Sequence, residues 1–214
     1  MQFNQHFDTL DITGNLIHKK ENILESQQIK QNSLYFDKKK YSQIPPMYSA
    51  IKIKGQKMYN LARKNIQIDI PPRQVHIKNF KIIPPFTNDS INFKTKVSKG
   101  TYIRSLIRDI AARMNTYGAL KNLIRTKIGS YNLKNAQNIE SITFENLIDV
   151  KELFQKTQKI ILNDFLIKLV KNGIILDERQ IITRKSFVVL DQKQNWIAYY
   201  VTIKKNKYYP KYFF

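Results

Sequence analysis

The residues best suited to chemistry stand together in Lys99-Gly100-Thr101-Tyr102-Ile103-Arg104. Gly100 lets the backbone approach a ligand closely, and a helix opening just after it would present unpaired N–H groups to an anion. From the first turn of such a helix, the Arg104 guanidinium suits a carboxylate or a phosphate, and the Tyr102 ring suits stacking on a base. A capped helix start whose arginine is merely solvated has the same spacing, because charges are common at helix ends. A second constellation is Gln43-Ile44-Pro45-Pro46-Met47-Tyr48-Ser49-Ala50-Ile51-Lys52-Ile53-Lys54-Gly55. Here Tyr48 and Tyr59 interleave with Lys52, Lys54, Lys57, Arg63 and Lys64. That mixture suits looped or single-stranded RNA, whose bases stack while cations hold the phosphates. The alternative is a solvated lysine-rich loop whose tyrosines complete the core.

Other candidates are weaker. Asp8 and Asp11 are an acid pair in spacing, but Thr13-Gly14 follows them and a turn is the simpler reading. The chain has three histidines, His6, His18 and His76, and no cysteine. A disulfide scaffold, a thiol nucleophile and a cysteine-built zinc site are excluded, and His18 and His76 have no partner at metal-ligand spacing.

These residues need elements to position them. Ile91, Phe93, Thr95 and Val97 alternate with polar residues as in a half-buried strand. After Gly100, Ile103, Leu106, Ile107, Ile110 and Met114 form the stripe of an amphipathic helix, with Gly118 as its expected C-cap. A strand therefore hands over to a helix at the first constellation. Upstream, the two prolines of the second constellation enforce an extended path, residues 58–63 fit a short helix, and residues 66–70 alternate like a strand ending at Pro71-Pro72. Val75, Ile77 and Phe80 continue an apolar pattern to Pro84-Pro85, and residues 120–131 look extended. Ser141 to Glu145 offers a cap for a helix reaching about residue 155. Beyond residue 160, short apolar runs with an Asn172-Gly173 turn predict strands at residues 187–190 and 196–201, a small β-rich module.

Composition bounds the partner. The 214 residues carry 37 Lys+Arg against 16 Asp+Glu, a net charge of +21, with 42% hydrophobic residues. A chain so composed folds around a core, and its field favours a polyanion. The excess is local: residues 38–99 hold fourteen basic and two acidic side chains, whereas residues 140–178 hold five and seven. A lysine-rich proteome accounts for part of such a bias. No apolar run nears the roughly 18 residues of a membrane span, and the N-terminus lacks a signal-peptide pattern, so a cytoplasmic protein is expected.

Taken together, the block from Gln43 to Lys52 with Gly55, Tyr59 and Ala62-Arg63, and the block Ser98-Lys99-Gly100-Thr101-Tyr102-Ile103-Arg104, resemble the bacterial tRNA pseudouridine synthase B family in order and spacing. Phe7-Asp8-Thr9-Leu10-Asp11-Ile12-Thr13-Gly14 resembles that family's T-D-T-x-D-x-x-G stretch, and the C-terminal part its last module. The resemblance implies an α+β fold with a mixed antiparallel-sheet synthase core at residues 1–157, an RNA-clasping insertion at residues 45–73, and a small β-rich PUA-like domain at residues 158–214. It implies isomerisation of uridine 55 in the tRNA T-loop, by flipping the base out, cleaving its glycosidic bond and rejoining it through carbon. Arg104 would pair with the essential aspartate, Tyr102 would line the uracil pocket, and Tyr48, Lys52, Lys54, Tyr59, Arg63 and Lys99 would hold RNA. No metal or organic cofactor is implied, and the expected partner is the tRNA T-arm, bound by a monomer.

The chain departs from that family in one respect that bears on chemistry. The family's aspartate lies in an H-T-G-x-L-D-P-x-A-x-G motif upstream of the T-D-T stretch, and neither that motif nor the stacking tyrosine after it is present, Met1 lying six residues before Phe7. Asp8 and Asp11 align downstream and do not replace it. Glycine is also absent before the QIPP block, where Asp37-Lys38-Lys39 stands, and after Ala62-Arg63, where Asn65 stands. The expectation is an N-terminally shortened synthase that is inactive alone. The alternatives are a non-catalytic tRNA-binding module or a basic RNA-associated protein, the last disfavoured because a mere binder has no use for Tyr102 and Arg104 together.

Overall fold

A computed structural model describes residues 1–214 except 54, 65 and 67. The chain divides into two compact units, Met1–Leu133 and Lys134–Phe214. The expected boundary at residue 157 falls inside the second unit, just before its sheet begins.

The first unit runs β1 (Gln2–Phe3), β2 (Gln5–Phe7), β3 (Leu16–Lys19), α1 (Ser26–Leu34), β4 (Lys40–Gln43), β5 (Lys52–Ile53), β6 (Gln56–Lys57), α2 (Met58–Arg63), β7 (Arg73–Ile83), β8 (Asn92–Val97), α3 (Ile103–Ala112), β9 (Gly118–Ala119), β10 (Lys127–Ile128) and β11 (Tyr131–Asn132). Its centre is an antiparallel sheet in the order β4-β7-β8. Val75, Ile77 and Phe80 of β7 are all buried although they break strict alternation. A bulge between Ile77 and Asn79 inserts one residue against β8 and turns Phe80 back to the core face. The Asp37 carboxylate accepts the Phe80 N–H at 2.6 Å and holds the distortion.

The stripe expected on α3 is the largest contributor to this core: Leu106, Ile107 and Ile110 are fully buried beside Ile29, Phe36, Ile77 and Phe80. Each such side chain stabilises the fold by roughly 1.5–3 kcal/mol. Gly118 is not the C-cap. Arg113 is, and the left-handed turn that ends the helix falls two residues on at Asn115, φ +52°, with Thr116 N–H bonding to the Ala111 carbonyl and Asn115 N–H to that of Ala112. Gly118 instead lies in β9 paired with β1, where an added Cβ would meet the Ala111 side chain and the Ile107 carbonyl. One further expectation changes. Residues 66 and 68–70 are not in a strand; Pro71-Pro72 follow, and the edge of β7 is taken by β4. Asn65 and Gln67 lie outside the described residues. Residues 26–34 form α1, a helix with only Ile29 and Ser33 buried and so little apolar periodicity to read.

The second unit holds β12 (Gln158–Ile161), α4 (Asp164–Lys171), β13 (Leu176–Asp177), β14 (Phe187–Leu190), β15 (Trp196–Lys204) and β16 (Lys207–Phe213). Its five-stranded sheet, β12-β14-β15-β16-β13, is antiparallel apart from the parallel β12–β14 pair. The expected helix from Ser141 is replaced by short 3-10 turns at Ile139–Ser141, Phe144–Asn146 and Val150–Phe154. Thr143 and Asn146 do bond as a cap, but Ile139 and Phe144 are about 90% exposed, so no buried face sustains a longer helix. The helix α4, not expected, starts where Asn163 Oδ1 accepts the Leu166 N–H. Tyr200 and Tyr208 are fully buried, and their hydroxyls donate to the carbonyls of Ile174 and Thr183.

Candidate functional site

The turn into α3 is built by its own sequence. Gly100 adopts φ +83°, where any side chain would be strained. Ser98 Oγ accepts the His76 N–H and meets Thr101 Oγ1 at 3.1 Å, tying the turn to β7. Tyr102 is the N-cap residue and has extended backbone. Its N–H is taken by Gln43 Oε1 at 2.9 Å, and Gln43 Nε2 donates to the Tyr102 carbonyl at 3.2 Å. Gln43 is buried at the end of β4, and its amide also donates to the Tyr41 hydroxyl, which donates in turn to Asp109 Oδ2 at 3.0 Å. Burial and the neighbouring Asp109 carboxylate push the Tyr41 phenol well above its ordinary range. A buried glutamine with both amide atoms engaged thus fixes the start of α3 against β4.

From the first turn of α3, Arg104 reaches two distant segments. Nη1 donates to the Thr9 carbonyl at 2.7 Å and Nη2 to the Tyr48 carbonyl at 2.8 Å. The three blocks singled out by sequence, around Asp8, around Tyr48 and around Tyr102, therefore converge on one guanidinium. No carboxylate pairs with Arg104 among the described residues. Asp8 accepts from the Asn15 N–H and Nδ2, and Asp11 accepts from the Thr13 N–H and hydroxyl, so both shape the turn. Gly14 is needed there: a Cβ would run into Thr9 Oγ1 and the Asp8 carboxylate.

The second constellation flanks this point. Pro45, Pro46 and Ser49 are buried, Tyr48 is half-buried, and Ser49 Oγ lies 3.6 Å from the sulfur of fully buried Met58. The loop is thereby anchored to α2, the short helix expected at residues 58–63. Half-buried Tyr59 has Lys57 Nζ 5.5 Å and the Arg63 guanidinium carbon 5.6 Å from its ring centre. Lys52, Arg63 and Lys99 are exposed, and Lys54 lies outside the described residues.

Sequence reasoning missed Gln43's reach and Tyr41–Asp109, and it missed one aromatic group. His6 and His18 stand opposite each other across β2 and β3 and stack with Tyr117, with ring centres 5.1–5.9 Å apart. The His6 imidazole is held below its ordinary pKa, by burial first and then by His18, with Asp8 acting the other way. No group of three or more His, Cys, Asp or Glu side chains able to hold a metal occurs among the described residues.

The fold matches that of one chain in the "Crystal Structure of a Cbf5-Nop10-Gar1 Complex", with a TM-score of 0.54 and 18% identity over 86% of this chain and 57% of that one. It is similar as well to a chain in the "Structure of H/ACA RNP bound to a substrate RNA containing 2'-deoxyuridine", with a TM-score of 0.50 and 16% identity over 86% of this chain and 56% of that one. The architecture is thus α+β with antiparallel sheets, as expected. Residues 1–103 match the TruB family pseudouridylate synthase (N terminal domain). The tRNA pseudouridine synthase B of Onion yellows phytoplasma (strain OY-M) is 54% identical over 212 residues, 99% of this chain and 75% of that protein. That of Acholeplasma laidlawii (strain PG-8A) is 44% identical over 97% of this chain and 73% of its own length. The chain belongs to the tRNA pseudouridine synthase B family. No helix among the described residues is long and apolar enough to cross a membrane.

Proposed function

We propose that the chain serves the isomerisation of uridine to pseudouridine at position 55 of the tRNA T-loop. The reaction breaks the C1′–N1 bond, forms C1′–C5 and moves a proton from C5 to N1, so its balance needs no redox partner or group donor. The observation that carries the reading is the convergence of three separate segments on Arg104. Arginine has five N–H donors, and the carbonyls of Thr9 and Tyr48 account for one on each terminal nitrogen. The remaining donors suit a catalytic carboxylate, which a neighbouring guanidinium keeps ionised at neutral pH. Tyr102 lines the pocket for the extruded uracil, and a loop base leaves its stack more readily than one in a duplex. Tyr48, Lys52, Lys54, Tyr59, Arg63 and Lys99 hold the RNA, residues 45–73 clasp the loop, and residues 158–214 are a PUA-like module. The protein works as a cytoplasmic monomer on the T-arm.

These 214 residues bind RNA without isomerising it. Asp8, Asp11 and Asp109, the aspartates of the segments around Arg104, all have carboxylates engaged in other bonds, with Asn15, with Thr13, and with Tyr41 and Arg108. The test is incubation of the purified chain with a T-arm stem-loop, followed by nuclease digestion and chromatographic separation of uridine from pseudouridine. The expected result is bound RNA and no pseudouridine; product formed by this chain alone overturns the statement. Lys52→Ala should weaken RNA binding several-fold and lower the steepness of its salt dependence by about one, as one phosphate contact is lost. Unchanged affinity and slope would make that lysine a solvated surface charge.

A further inference from the structure

A second cationic cleft lies on the first unit, beside α3 and β4 and reaching Ile44 of the second constellation. Tyr35, the C-cap residue of α1, has Lys39 Nζ 3.1 Å and the Arg113 guanidinium carbon 3.4 Å from its ring centre. Arg113 is itself the C-cap residue of α3, so two helix ends and the approach to β4 meet at one ring. They line a cleft of about 260 Å³ shared with Tyr41, Arg108 and Asp109. Among the described residues the acid of this cleft is Asp109, which already takes Arg108 at 2.8 Å and the Tyr41 hydroxyl. Neither Lys39 nor Arg113 pairs with a carboxylate among the described residues. Two cations without a carboxylate partner thus flank one exposed aromatic ring, an arrangement that an anion or solvent must answer.

We propose that Tyr35, Lys39 and Arg113 form a phosphate-binding site that takes the RNA backbone, separate from the contacts that Arg104 makes. The polymer is favoured over a small anion because the site is an open cleft on a chain of net charge +21, and the cations flank a ring rather than enclosing a cage. Lys39, with its ammonium 3.1 Å from the Tyr35 ring centre, and Arg113, with its guanidinium carbon at 3.4 Å, are the two cations offered to the phosphate. The proposal rests on the RNA-binding reading for its ligand, but not on the base pocket or on catalysis.

The test uses the full chain, a fluorescent T-arm stem-loop and anisotropy across a potassium chloride series. Lys39→Gln and Arg113→Gln should each weaken binding by about three- to tenfold and reduce the magnitude of the log–log salt slope by about one. Lys94→Gln, on the opposite edge strand β8, removes the same charge and should change the slope far less. Unchanged affinity and slope in both site variants, with a lowered melting temperature, would make the two cations structural braces for Tyr35 and overturn the proposal. Calorimetric titration with inorganic phosphate separates the sources: submillimolar binding lost in Arg113→Gln, with RNA affinity intact, would assign a free anion instead and also overturn it. Failure of the wild-type chain to bind the stem-loop at all would instead overturn the RNA reading that underlies it.

Discussion

Arg104 and Arg108 lie one turn apart on the same helix and meet opposite surroundings. Arg108 is neutralised by Asp109 and donates to the Ile44 carbonyl, so its charge is answered within the fold. Arg104 donates to two carbonyls and meets no carboxylate among the described residues, so its position is fixed while its charge stays available. The difference teaches how a rigid cationic site is made: hydrogen bonds to backbone oxygens orient a guanidinium without cancelling it. An ion pair at the same place would orient it as well and leave little field for a ligand.

The most damaging way to break this contrast is Gln43→Leu. It takes the acceptor from the Tyr102 N–H and one donor each from the Tyr102 carbonyl and the Tyr41 hydroxyl, which keep Leu106 and Asp109, and should cost about 3 kcal/mol in denaturant-midpoint measurements, because the Tyr102 N–H is left unmet and α3 loses its tie to β4. Arg104→Ala should follow at about 2 kcal/mol, since the carbonyls of Thr9 and Tyr48 lose a charged donor; an equal or smaller effect than Arg108→Ala would erase the distinction between the two arginines. Asp109→Asn keeps an acceptor for Tyr41 but discharges Arg108, and about 1 kcal/mol is expected. The same change should strengthen RNA binding slightly by freeing a cation, which anisotropy would detect.

The smallest effect is alkaline. Tyr41 has its folded-state pKa raised by burial and by Asp109, so the neutral phenol is favoured in the fold. Its contribution is therefore complete below the unfolded value near pH 10 and is lost as pH rises toward the higher folded value. Tyr200, pushed up to about 12 by burial, acts in the same direction in the second unit. Tyr41→Phe should flatten the fall in melting temperature between pH 10 and 11; an unchanged profile would mean that other groups govern alkaline unfolding.

What could be read in advance follows from where the determinants lie along the chain. The β8–turn–α3 unit was legible because alternation, a glycine and a helical stripe follow one another within 25 residues, and α2 was legible for similar local reasons. Gln43 and Arg104 stood inside recognisable blocks, but their partners lie 59, 95 and 56 residues away, and most of those partners are backbone groups, which leave no mark in a side-chain pattern. The cleft at Tyr35 was invisible because it joins a helix end, a strand approach and a second helix end. The alternation at residues 66–70 misled in the other direction, residues 66 and 68–70 lying outside any strand: period-two alternation is necessary for a half-buried strand, yet it does not supply a neighbouring strand to pair with. The α4 helix failed for another reason, since its Asn163 cap was present but the apolar runs around it were read as β.

The bulge in β7 has a consequence for evolution. Ile77 and Phe80 lie on either side of an inserted residue, so the two halves of this strand face the core in opposite phase. Deleting Lys78 would restore regular pairing and leave Ile77 and Phe80 two positions apart, still on the same face. A lineage could therefore lose that single residue without rewriting the apolar pattern, giving up only the local twist, whereas a loss elsewhere in the strand would put the side chains beyond it out of phase with the core.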